Sequence, residues 1–146
     1  MKYVKSGMTA MALGFLALLC GCASGPELKN TVWTPVKLEN QGGIGLIQDQ
    51  PVWFAIDKKD KVSGNGGTNM ILGSTVAAGD GKLVFDKLAT TRATGPNIGY
   101  ENLFLKTLNE TRTYRIDGDN LQLYGKDGNL LATFTVGSQS FKGEKK

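Results

Sequence analysis

Few side chains in this sequence could do covalent or acid-base chemistry. The 146-residue chain has no histidine and two cysteines, Cys20 and Cys22, at the end of an apolar run. Without histidine, neither a Ser-His-Asp nor a Cys-His arrangement can be assembled, and zinc sites built on His and Cys are excluded. Carboxylates remain. Asp49, Asp57, Asp60, Asp80, Asp86, Asp117, Asp119 and Asp127 mostly stand beside Gly, Asn or Lys, a turn context in which Asp bonds its own backbone. No pair has a spacing that predicts the facing carboxylates of a glycosidase. No catalytic residue is therefore assigned, and the sequence asks for neither a metal nor another cofactor.

The thiols point to a different chemistry, acylation. Leu19-Cys20-Gly21-Cys22 closes a stretch of apolar and small residues that starts at Met8 and follows Lys2 and Lys5. About 12 such residues are too few to span a bilayer as a helix, and the order cationic, apolar, small is that of a secretory signal. The box resembles the lipobox, in which a Leu, two small residues and a Cys are read by the lipoprotein peptidase once the thiol is diacylated. Cleavage between Gly21 and Cys22 is expected, because cleavage before Cys20 would put Leu19 where Gly or Ala is needed. An ordinary secretory signal is the alternative, and a Cys20–Cys22 bridge would strain the backbone. Residues 1–21 then form the signal peptide, and Cys22 becomes the first mature residue and carries the membrane lipid anchor. Two or more acyl chains hold a protein stably on a membrane. Ala23 is not the Asp that retains enterobacterial lipoproteins at the inner membrane, so the expected address is the outer membrane, facing the periplasm.

These groups need a scaffold, and the rest of the chain supplies one. Without the signal peptide 125 residues remain, enough for one domain with its own core. They hold 15 basic and 13 acidic residues, a net charge of +2, with Lys142, Lys145 and Lys146 in a polar tail over 137–146. No basic patch interleaved with aromatics appears, so nucleic acid is not an expected partner. Residues 22–29 read as a linker. Short β-rich segments follow over 31–38, 52–56, 61–65, 69–76, 82–85, 113–117, 120–124 and 130–136, an even spacing that suggests a sandwich or barrel. The last three form a meander around two Asp-Gly turns. In it Tyr114, Ile116, Leu121, Leu123, Leu130, Ala132, Phe134 and Val136 recur with period two as a buried face, opposite Arg115, Gln122, Thr133 and Thr135. One segment breaks this pattern. Over 97–108 the residues Tyr100, Leu103, Phe104 and Leu108 fall at helical spacing after Pro96, with Asn109 as a stop. This predicts an amphipathic helix that caps the open end of the β-layer.

Between the strands lies a glycine-rich run. Gly64, Gly66, Gly67 and Gly73 fall within ten residues, and they permit positive φ angles, bulges and close strand approach. A phosphate loop would need a Gly-Lys-Ser/Thr end and a following helix, and neither is present. A corner that lets a small barrel turn is expected, with Asn69 bonding backbone groups two residues away. Thr90, Thr91 and Arg92 are read as the approach to the helix, and Arg92 as an exposed recognition residue in the alternative.

Two of these segments carry a family resemblance. The run from Val62 through Ser63-Gly64-Asn65-Gly66-Gly67-Thr68-Asn69 to Gly73 resembles the signature of the META domain, also called the HslJ-like family. Leu88 to Pro96, with Thr91 and Arg92, resembles the family's second motif, and Glu101, Phe104 and Leu108 match its Glu-x-x-Phe-x-x-x-Leu helix. The resemblance covers 30–136 and implies a mainly β (α+β) fold, a small antiparallel barrel-like domain of about eight strands with one helix. The family's two frequent cysteines fall on Thr68 and Gly95, and both are absent together. Met70 and Ala93 replace the usual Arg and Met.

What the resemblance implies is an envelope lipoprotein without catalytic residues, in a family linked to heat shock, antibiotic tolerance and, in some parasites, virulence and motility. The expectation is a non-enzymatic outer-membrane lipoprotein that supports envelope integrity or stress tolerance through contacts with an envelope protein partner. Its oligomeric state is not legible. Two alternatives stand beside it. One is a small-ligand or lipid binder with Trp33, Trp53, Phe54, Phe85, Phe104 and Phe134 lining the barrel. The other is a pilotin-like assembly chaperone that presents Ile44, Leu46 and Ile47 at its rim.

Overall fold

The alternation of apolar and polar residues is realised as eight strands and one helix. The computed structural model describes residues 24–46 and 50–138. Gly21, Cys22, Ile47, Asp49 and the tail beyond residue 138 lie outside the described residues. In chain order the elements are β1 (Val32–Leu38), β2 (Trp53–Ile56), β3 (Lys61–Asn65), β4 (Met70–Gly79), β5 (Lys82–Thr90), α1 (Ile98–Glu110), β6 (Thr113–Asp117), β7 (Asn120–Tyr124) and β8 (Leu130–Val136). Each strand runs antiparallel to the next, and β8 returns to pair with β1, so one sheet closes on itself as a barrel-like ring. The mainly β expectation holds. Three elements run further than the sequence predicts: α1 continues past Asn109 to Glu110, the strand expected to end at Val76 continues to Gly79, and the strand begun at Lys82 runs on to Thr90. Thr90 is therefore strand and not part of the helix approach.

The interior is filled by aromatic side chains contributed from around the ring. Phe54 meets Phe85 and Phe134 edge to face, with centroids 5.6 and 5.1 Å apart. Phe104 of α1 adds a tilted contact to Phe134 at 6.0 Å. Such pairs gain roughly 0.5–1.5 kcal/mol beyond the area they bury. Trp33 is fully buried, and its indole N–H donates to the Leu28 carbonyl at 3.0 Å, which satisfies the one polar atom it carries inside. Leu28 is itself in the core. The packed unit thus starts ahead of Asn30.

Departures from the period-two reading have a local cause. Leu121, Leu123, Ala132 and Phe134 are buried as expected, but Leu131 is also buried and Val136 is 41% exposed. The β7–β8 register shifts between Leu123, opposite Ala132, and Tyr124, opposite Leu130. Leu131 is the extra residue of that bulge, and an unpaired residue is free to turn to the other face. A second interruption sits between β5 and β6, which pair at Lys82 and Thr113 alone. The chain between these strands, after Thr90, forms α1, which packs against β5 and β1 and lays Tyr100, Phe104 and Leu108 on the core.

Candidate functional site

The helix carries a residue that its apolar stripe conceals. Glu101 is three residues before Phe104 and seven before Leu108, so it lies on the buried face of α1 and is 1% exposed. A buried carboxylate is costly unless donors surround it. Here they do. One oxygen, Oε2, accepts the backbone N–H of Thr68 at 3.0 Å and of Asn69 at 2.6 Å, while Oε1 accepts the Asn69 side-chain amide at 2.7 Å. Glu101 also stands in the first turn of α1, where the helix dipole favours a negative charge.

Asn69 is the hub on the other side. It is 2% exposed, and its amide has two donor and two acceptor positions. The Nδ2 group donates to Glu101 and to the Ala93 carbonyl at 2.9 Å. Its Oδ1 accepts the Thr91 hydroxyl and the Ala93 N–H, both at 2.8 Å. All four positions are used. Thr91 Oγ1 in turn accepts the Met70 N–H at 3.2 Å. The expectation that Asn69 bonds its immediate neighbours is corrected: its partners lie 22 to 32 residues away. A fully satisfied buried network of this kind specifies one arrangement of the segments it joins.

The glycines divide into two groups. Gly66 faces the Glu101 side chain so closely that any Cβ there would collide with it. Gly67 has φ of 107°, and its carbonyl accepts the buried Asn97 amide at 3.3 Å. These two make the corner. Gly64 lies elsewhere, on β3 against the Trp53 carbonyl of the neighbouring strand, and Gly73 sits on β4 against Leu88 at a register shift. Of the remaining residues singled out in the sequence, Thr91 joins the network, Pro96 is exposed just before Asn97, and Arg92 is exposed. Ile44 and Leu46 are 44% and 40% exposed, and their loop folds over this same corner, against Gly99 and Gly67.

The arrangement is a brace. It ties the β3–β4 corner, the segment after β5 and the start of α1 into one unit, and each oxygen of Glu101 is engaged by a donor of the protein itself. Burial also pushes the Tyr100 hydroxyl above its ordinary pKa. Among the described residues no three His, Cys, Asp or Glu side chains converge as metal ligands. What sequence reading missed was the buried position of Glu101, although its spacing to Phe104 and Leu108 was a usable signal. The link from Asn69 to Ala93 had no such signal, since a backbone partner leaves no trace in residue type.

Comparison with known proteins fits this geometry. A search of curated proteins finds no match. Among solved structures, the chain is similar to a protein from Burkholderia xenovorans solved by NMR, at 25% identity over 77% of this chain and 85% of that one, with a TM-score of 0.59. It also shares its fold with a DUF4847 family protein from Bacteroides vulgatus, at 17% identity over 77% and 96% of the two chains, with a TM-score of 0.56. Residues 26–138, which hold the glycine-rich corner, the Thr91–Pro96 segment and the helix with Glu101, match the META domain, and the chain belongs to the META domain family.

Proposed function

We propose that this protein is a lipid-anchored envelope protein whose META domain acts through contacts with other proteins and not through catalysis. The observation that carries the anchor is the Leu19–Cys22 box, which ends two residues before the first described residue, Ser24. The chain is drawn into the core by Leu28. Diacylation of Cys22 followed by cleavage between Gly21 and Cys22 would leave the domain on a short tether at the periplasmic face of the outer membrane.

The packed interior supports a role for the outer surface. Phe54, Phe85, Phe104 and Phe134 are spent on one another, which weighs against the ligand-binding alternative. On the outer face of β4, Met70, Leu72 and Val76 are 56%, 57% and 69% exposed. Neighbouring large apolar side chains left in water on one strand mark a contact surface. The test is in-cell crosslinking of the tagged full-length protein, with Cys22→Ala as the unanchored form and Leu72→Lys as the altered face. A partner captured by the wild type and lost in Leu72→Lys, with the variant still folded and membrane-bound, is the expected result. A partner retained by Leu72→Lys would sink the role given to this face, and Cys22 without acyl chains by intact mass would sink the anchor.

A further inference from the structure

The chain enters at one rim of the ring, the end that an acylated Cys22 would bring to a membrane. This inference takes the Cys22 anchor as given and adds the orientation of the domain. Gly25 lies against the Gly118 carbonyl in the β6–β7 turn. From there the chain is clamped: the Leu28 carbonyl accepts Trp33 at 3.0 Å, Lys29 pairs with Asp60 at 2.7 Å, and the Asn30 N–H donates to the Ile56 carbonyl at 2.7 Å. Cys22 is three residues ahead of Gly25, a reach of about 10 Å when fully extended. An acyl group there holds the end of the ring that carries the β2–β3, β4–β5 and β6–β7 turns next to the headgroups.

Charge is unevenly distributed on this rim. The β2–β3 turn presents Lys58, Lys59 and Lys61, all exposed. Its two carboxylates are engaged elsewhere. Asp57 Oδ1 accepts the backbone N–H groups of Lys59 and Lys61, at 2.8 and 2.9 Å, and Asp60 is paired with Lys29. None of the three lysines makes an ion pair with another side chain among the described residues. The β4–β5 turn holds Asp80 beside Lys82, and the β6–β7 turn holds Asp117 and Asp119. In the strand order, the lysine turn and the Asp117–Asp119 turn lie on opposite sides of the ring. We infer that the tethered domain, held at the Asp117–Asp119 side by its anchor, also rests across the rim on anionic lipid headgroups through Lys58, Lys59 and Lys61.

The test uses the lipidated protein extracted from membranes and reconstituted in phosphatidylcholine vesicles with or without phosphatidylglycerol. Lysine reactivity toward an amine-acylating reagent is read residue by residue by mass spectrometry, with Lys126 in the β7–β8 turn at the opposite end as the internal reference. Contact with an anionic surface should slow Lys58, Lys59 and Lys61 about fivefold relative to Lys126, and added salt should remove the protection. Equal reactivity with and without phosphatidylglycerol, on protein whose intact mass shows acylated Cys22, overturns the orientation and leaves the anchor standing. An unacylated Cys22 overturns the anchor and the orientation with it. Lys58→Gln/Lys59→Gln, distant from the core, should restore Lys61 to the reactivity of the vesicles lacking phosphatidylglycerol, and failure to do so also counts against the proposal.

Discussion

The two ends of β4 reverse the chain in different ways. At the Met70 end, the corner over 66–69 is held from outside by Glu101, Ala93, Thr91 and Asn97, all more than 20 residues away in sequence. At the Gly79 end, Asp80 and Gly81 turn the chain alone with φ of 51° and 79°, and Gly79 pairs directly with Lys82. Two positive φ values in a two-residue loop are the type I′ pattern, whose twist matches that of the flanking strands. The first corner exists because the fold is complete; the second helps to make it. Substitutions should therefore be far more damaging at the braced end.

The largest effect is expected from Glu101→Ala. It leaves the N–H groups of Thr68 and Asn69 and the Asn69 amide without their acceptor, all buried or half-buried. Leaving a buried donor unsatisfied costs about 1–3 kcal/mol, and with three donors orphaned the loss is a large share of a domain's total stability. Urea unfolding should show the loss in the midpoint. Gly66→Ala makes contact with the same side chain and should behave alike. A change under about 1 kcal/mol for Glu101→Ala would mean that the brace is not what holds this corner.

The braced end can also be strengthened. Thr68 Oγ1 is buried without a hydrogen-bond partner, and a Cβ built on Gly95 would stand 3.9 Å from the Thr68 Cβ. Disulfides need a Cβ separation of about 3.5–4.5 Å. Thr68→Cys with Gly95→Cys should therefore close without moving the backbone. Closing a loop of about 28 residues gains about 3.6 kcal/mol in the chain-entropy account, and the substitution also removes the unpartnered hydroxyl. Comparing the melting temperature of the oxidised and reduced double variant isolates the crosslink. An oxidised form no more stable than the reduced one would show that the brace already fixes this corner.

The same contrast explains what could be read from the sequence. Asp-Gly turns and period-two apolar residues act on their immediate neighbours, so β6, β7 and β8 were legible to the residue. The extension of β5 to Thr90 was not, because Lys87 adopts φ of 52° and the pairing with β4 shifts between Val84 and Phe85 and again between Asp86 and Ala89, which scrambles the alternation that marks a strand. Residue types gave the glycine-rich corner as a turn but not its partners. Glu101 was readable in principle, as a charged residue placed in an apolar stripe, whereas Ala93 contributes only its backbone N–H and C=O, which every residue type but Pro supplies. Bulges and backbone acceptors are products of the closed ring, and a one-dimensional pattern does not encode them.

At the self-supporting end the expected cost is smaller. Gly81→Ala places an L side chain at φ of 79°, with no atom within 4 Å of the new Cβ. The penalty is backbone strain alone, about 1 kcal/mol. Thermal unfolding should register it as a modest shift. A loss as large as that of Glu101→Ala would erase the distinction between the two ends of β4.

The smallest effect lies beside that end, at Asp60, and it is a matter of pH. A hydrogen bond from Lys29 is the main cause that holds the Asp60 carboxyl below its ordinary 3.8, with the Lys29 charge and the Thr75 hydroxyl adding to it and partial desolvation opposing. A carboxylate whose folded pKa is depressed stabilises the fold above its unfolded pKa, and that contribution disappears as pH falls through the folded value. The pair is exposed to solvent, so screening by water and salt keeps it weak. Asp60 has φ of 62°, a conformation that Asn also tolerates, so Asp60→Asn removes the charge without straining the turn. The difference in urea midpoint between wild type and Asp60→Asn should stay constant from neutral pH down to about 4, then shrink as the medium is acidified further. A difference that persists unchanged into strong acid would assign the effect to the turn geometry and not to the Lys29 pair. Lys29 lies in the stretch that enters the ring, so the ion pair ties the incoming chain to the β2–β3 turn by charge where the opposite end uses buried hydrogen bonds. Added salt should weaken the first of these ties and leave the second unchanged.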